Sequence, residues 1–271
     1  MERQKLQNEV EASALAVAQA QALGGPSCSP AALALVSGDA TCSRIATSNG
    51  SVTTVSSSDD VSLFFSQLFG RDSAGVDASA SVRIGPAGSV TGLRPLAMCI
   101  GNAALVEWLA SGKTSTQVYT IGVAATTPEC GGEVPGNWGV LDFDGGSNSN
   151  SDTKKWIADG YPGSVSADET FGGNPGVPST AMRLGDLVGQ SVVLPVFGNA
   201  RKQGSNAQYD VAGFVKVRLV DVTLSGSENK RNIKVVFENT SVRGSVGGID
   251  APNFGVSAWS ICSFDGKGVC S

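Results

Sequence analysis

The chain has 271 residues, enough for one large domain or two modest ones. Charged residues make up 16% of it and hydrophobic ones 41%, a globular composition, and Lys+Arg 19 against Asp+Glu 24 without a basic cluster sets nucleic acid aside as a partner. There is no histidine, which removes Ser–His–Asp and Cys–His nucleophiles, His-ligated zinc and His acid–base catalysis.

Glycine is abundant, 35 residues, and implies many tight turns and short strands. The expected fold class is α+β, an N-terminal helix plus an antiparallel β-rich body with short helices, stapled by disulfides. Residues 3–23 read as a helix, with Leu6, Val10, Ala14, Val17 and Ala20 in a narrow apolar stripe and Gly24, Gly25 and Pro26 as its stop. Such a stripe suits packing on another helix or domain, or the water-exposed continuation of a membrane helix. Pro30–Val36 is expected to hold a short helix. Ser51–Ser56 reads as a strand. Asp59 or Asp60 then looks like the N-cap of a helix through Phe69, and Gly75–Ile84 alternates strictly as a half-buried strand. That makes 51–85 a strand–helix–strand unit.

Asn102–Ala110 predicts a helix closed by Gly112, with Leu105, Val106 and Leu109 as its apolar residues. Thr116–Val123 predicts a strand. Pro135–Asp144 reads as turn-rich, anchored by Trp138, Val140, Leu141 and Phe143, and Ser151–Asp159 as a helix with Trp156 and Ile157 inward. Gly160–Thr180 reads as loop. Ser191–Phe197 is strand-like. Tyr209–Val220, with Tyr209, Val211, Val215, Val217 and Leu219 on one face, and the continuation through Ile233, Val235 and Phe237 predict a long antiparallel hairpin at the centre of the sheet. The expected organisation is a helix over 1–24, a strand–helix–strand unit over 25–95 and a β-rich body over 96–271, the last two packed as one globule.

Cys28, Cys42, Cys99, Cys130, Cys262 and Cys270 contain no C-x-x-C, so neither a redox motif nor zinc-ribbon spacing is present. Fifteen connectivities are open to six cysteines. We expect the local pairs Cys28–Cys42, Cys99–Cys130 and Cys262–Cys270, because loop closure favours near neighbours. Oxidised cysteines place the protein outside the cytoplasm; the alternative is six buried thiols. No apolar run is long enough to span a membrane, so export is expected to rest on a segment absent from these residues.

Four motifs carry possible chemistry. Asp142, Asp144, Asn148, Asn150 and Asp152 form an oxygen-rich run of the kind that opens calcium loops, but the EF-hand pattern fails at its twelfth position, Thr153; a solvated turn is the competing reading. Beyond this calcium candidate no cofactor is expected. Asp77, Ser79 and Ser81 spell D-x-S-x-S, but on the solvent face of a strand, where they are too spread to chelate one ion. Gly112-Lys113-Thr114 imitates the end of a P-loop, whose first glycine is replaced by Glu107. Asn49-Gly-Ser and Asn239-Thr-Ser fit the glycosylation triplet, which also arises by chance.

The opening run from Arg3 through Leu6, Gln7, Asn8, Glu11, Ala12, Ala14 and Ala16 to Ala18 resembles the segment that follows the membrane helix in TadE/TadG-like proteins of the tight adherence (Flp) pilus system. Phe64, Phe65, Leu68, Phe69 and Gly70 before Val76, Ala78 and Ala80 are similar to that family's strand–helix–strand. Gly92–Leu96, Gly136–Phe143 and Leu184–Phe197 also resemble it. The resemblance implies a non-catalytic, membrane-anchored minor pilin or pilus-assembly component at the cell surface, meeting other pilin or Tad assembly subunits through its first helix and the membrane through an anchor not included here. It carries over no catalytic residue. A secreted calcium- or glycan-binding adhesin module is the alternative, to be recognised by Trp138, Trp156 or Trp259 lining a groove; a carboxylate hydrolase ranks third.

Overall fold

The structure is a computed structural model that describes residues 2–26, 28–48, 50–62, 73–123, 138–145, 150–175, 183–202, 206–227, 230–248 and 250–262. Its first half runs α1 (Glu2–Ala22), α2 (Pro30–Leu33), β1 (Asp39–Thr47), β2 (Gly50–Ser62), β3 (Ser73–Pro86), β4 (Ser89–Thr91), β5 (Leu96–Cys99), α3 (Ala103–Ala110) and β6 (Tyr119–Gly122). The second half runs β7 (Trp138–Asp142), α4 (Asn150–Asp159), β8 (Ser164–Ser166), β9 (Thr170–Pro175), a 3-10 turn (Leu184–Leu187), β10 (Ser191–Arg201), β11 (Ala207–Thr223), β12 (Asn232–Glu238), β13 (Thr240–Arg243) and β14 (Val256–Ile261). Mixed helix and sheet is therefore the class, and strand dominates it.

Two sheets divide the strands. The first has the order β1-β2-β3-β14-β13, so it joins early strands to the last two. Helix α1 lies on one face of it. Leu6, Val10, Ala14 and Ala18 pack with Val55, Ala78, Ala80, Val82 and Ile84 in one core cluster. The small side chains of the stripe let the helix sit close to the pleated surface, and the stripe that the sequence offers to an outside helix is thus spent on the chain's own sheet. Gly24 at φ +83° ends the helix, where Leu23, Gly24 and Gly25 donate to the carbonyls of Gln19, Ala20 and Gln21. Val10 is fully buried. Val10→Ala is expected to lower stability by about 2 kcal/mol, two methyl groups of burial plus a small cavity, read as a lower urea midpoint at unchanged slope.

The second sheet has the order β10-β5-β7-β9-β11-β12-β6, and an additional β10–β11 pairing closes β5, β7, β9, β11 and β10 into a ring. β5 and β10 are parallel; the other pairs are antiparallel. The predicted hairpin is present as β11 and β12, in register from Lys216↔Glu238 to Thr223↔Asn232. It does not keep one face inward. The register with β10 shifts between Val196 and Phe197 and again before Asn199, and Tyr209 and Val211 enter one core cluster while Val215, Val217 and Leu219 enter another. A bulge explains this, because one extra residue reverses the alternation of side chains.

Several sequence expectations change. Asp59 and Asp60 do not cap a helix: they continue β2, which pairs with β3 as far as Ser62↔Ser73, and Phe64–Phe69 lies outside the described residues. Pairing with a neighbouring strand outweighs the local preference of Asp for a cap. Trp138–Asp142, read as turn-rich, is a wholly buried strand. The segment read as loop holds β8 and β9, whose Gly172 and Gly173 pair with Gln208 and Ala207. Helix α3 forms as expected with Asn102 as its cap, Oδ1 accepting from the Ala104 and Leu105 N–H groups, but Val106 is 50% exposed and Trp108 takes the buried position, stacked 5.1 Å from Phe237.

The bridge Cys28–Cys42 is formed and ties the α1–β1 connection to the edge of the first sheet. Cys99 and Cys262 are also disulfide-bonded. Cys130 and Cys270 lie outside the described residues.

Candidate ligand-binding cleft

The oxygen-rich run is split by the fold. Asp142 is buried at the end of β7, Asp144 is exposed in the turn after it, Asn150 and Asp152 open α4, and Asn148 lies outside the described residues. Between them Phe143 anchors the segment in an aromatic group with Trp156, Tyr161 and Phe171. Among the described residues no three His, Cys, Asp or Glu side chains converge as metal ligands. Asp77, Ser79 and Ser81 lie along β3; Asp77 is exposed, while the Ser81 hydroxyl is buried 2.7 Å from that of Thr54. Gly112 and Lys113, both at positive φ, stop α3 and form no phosphate loop. Asn239 donates its side-chain N–H to the Lys113 carbonyl at 2.9 Å, and Asn49 lies outside the described residues.

The tryptophans do not line a groove. Trp108 and Trp138 are fully buried, Trp156 is 6% exposed, and Trp259 is half-buried against the α1 cluster. All four serve packing.

Three carboxylates titrate below their ordinary range, each for a visible reason. Glu9 accepts from the Ser37 N–H at 2.9 Å. Asp221 faces Lys234 Nζ at 2.9 Å. Burial raises Glu238, but the Ser191 hydroxyl at 2.8 Å and Lys216 and Arg218 at 3.3 Å outweigh it. A carboxylate depressed in the folded state adds stability above its unfolded pKa and loses it as pH falls through the folded value. Stability is therefore expected to be flat around neutrality, where no histidine titrates, and to fall as pH drops through 4.5 and below. Glu238→Gln is expected to flatten part of that acid limb in a series of thermal melts.

A concave site lies beyond the C-terminal end of α1, on the helix-covered face of the first sheet. It is a cleft of about 330 Å³. Cross-strand pairs build its floor: Ser51↔Ile84 joins β2 to β3, and Ser257↔Pro86 joins β14 to β3. Gln21 and Ala22 form one wall and Ala251 and Asn253 another; Arg44 enters from β1. Helix α1 ends at Ala22, at the edge of the cleft. Ser51 is 1% and Ser257 6% exposed as whole residues, and neither hydroxyl oxygen is a buried atom left without a partner. Among the described residues Arg44 makes no ion pair, and no acidic residue lines the cleft. The Gln21 amide is held by Thr53. Asn253 accepts from the Gly255 N–H through Oδ1, which leaves its Nδ2 to a ligand.

Sequence reasoning missed this site. Ser51 appears in it as the first residue of a strand and the last of the Asn49-Gly-Ser triplet, neither of which points to a cleft, and the five segments that meet here share no common motif. No protein-family model, no curated protein and no solved structure matches this chain.

Proposed function

We propose that the chain is an exported, non-catalytic structural domain of the TadE/TadG-like kind, a minor pilin or pilus-assembly component acting in cell-surface adhesion. The observation that supports it best is the oxidised state of its cysteines: Cys28–Cys42 is closed, and Cys99 and Cys262 are bonded as well. Disulfides persist in oxidising compartments, and a β-rich body stapled in this way suits exposure at a surface. With the apolar stripe of α1 buried, a neighbouring pilus subunit would meet its outer side, where Gln4, Asn8, Ala12 and Gln19 are exposed. Small and polar residues of this kind permit close helix approach without a large apolar seam.

Among the described residues no helix is long and apolar enough to cross a membrane, so this reading requires its anchor elsewhere. The test is fractionation of cells that make the native protein. The protein is expected in the filament fraction sheared from intact cells, and to be cut there by added protease. Recovery in the soluble cytoplasmic fraction alone would overturn the reading. The adhesin alternative loses the tryptophan-lined groove by which it was to be recognised, keeps for its glycan half only the cleft, and gains nothing for calcium from the described residues.

A further inference from the structure

We propose that the cleft at the end of α1 is a binding site for an acidic sugar, a pyranose ring that carries one carboxylate. Among the described residues Arg44 is the one charged residue in the lining, its guanidinium has no ion-pair partner and no acid opposes it. A guanidinium matches a carboxylate in a two-point arrangement. The last turn of α1 opposes an anion, though the carbonyls of Gln19, Ala20 and Gln21 already accept from N–H groups of the following turn.

Ser51 and Ser257 line the cleft, and neither hydroxyl oxygen is among the fully buried atoms left without a partner, so both are reachable from the cleft and open to a ligand. Serine hydroxyls both donate and accept, as sugar hydroxyls do. Ile84 and Ala22 supply the apolar surface that the C–H face of a pyranose needs. The volume sits at the lower end of the range for small-ligand sites, about 300–1,000 Å³.

The test is a titration of the ¹⁵N-labelled chain with methyl β-D-glucuronide, with methyl β-D-glucoside as the neutral ring and acetate as the bare carboxylate. Glucuronide is expected to bind saturably in the millimolar range, shifting the amides of Ser51, Gly85 and Ser257, and the glucoside at least about tenfold more weakly. Arg44→Gln removes the charge of an exposed side chain and is expected to weaken glucuronide about tenfold or more without moving the melting temperature. Ser51→Ala deletes a cleft hydroxyl; it is expected to leave stability unchanged or higher while weakening binding about fivefold. Glucoside binding as tightly as glucuronide, acetate binding as tightly as glucuronide, shifts confined to another face, or no saturable binding would each overturn the proposal.

Discussion

Gly139→Ala is expected to destabilise the protein by about 3 kcal/mol, at the upper end of ordinary overpacking. A methyl group at Gly139 in β7 would stand 2.5 Å from Cε1 and 2.6 Å from Cζ of Tyr209. The Tyr209 ring cannot withdraw. It is fully buried and meets Phe197 edge-on at 5.1 Å and 78°. Gly173 on β9 also lies against it, so two glycines on neighbouring strands form the slot that the ring fills. Tyr209→Phe makes the contrast. The Tyr209 hydroxyl has no hydrogen-bond partner among the described residues, and burial pushes its pKa well above the usual tyrosine value. Removing it is expected to be neutral or stabilising. Thermal melts of the two variants and of Gly139→Ala with Tyr209→Leu complete the test: the smaller side chain is expected to recover much of the loss, since residues in contact are not additive. Equal melting temperatures for wild type and Gly139→Ala would contradict the packing described for the ring of strands.

The second large effect belongs to the bridge. Replacing both Cys28 and Cys42 by Ser is expected to cost about 3 kcal/mol, because the bond spans 14 residues and its loss frees that loop in the unfolded chain. The loss is also expected to be uneven. β1 is an edge strand whose only partner among the described residues is β2, and the bridge ties it to the connection leaving α1. Amide exchange in β1 is therefore expected to quicken more than in β11, which lies between paired strands on both sides. Uniform acceleration across both sheets, or none, would contradict this.

What the sequence revealed follows from the range of each signal. The stripe of α1, the strict alternation of β3, the β11–β12 hairpin and the Cys28–Cys42 pair are local patterns and were legible. The ring of strands was not, because its closure depends on β5 lying parallel to β10, about a hundred residues away, and no local period records that. β9 was hidden for a related reason. Gly172 and Gly173 look like breakers in sequence, whereas the fold uses Gly173 to let the Tyr209 ring approach. Asp59 and Asp60 resembled a helix cap because their neighbours in sequence permit one; only the length of the register with β3 shows them as strand. The cleft was invisible for want of a motif: Arg44, Ser51 and Ser257 are ordinary residues until three strands bring them together at the open end of a helix.

The central claim, a disulfide-stapled protein of an oxidising compartment, is tested most directly by trapping thiols in cells that make it. The protein is isolated after alkylation under denaturing, non-reducing conditions and mapped by mass spectrometry. The account predicts a linked Cys28–Cys42 peptide and no alkylated cysteine anywhere in the chain. Alkylated Cys28 and Cys42 in the native protein would contradict both the staple and the extracytoplasmic placement.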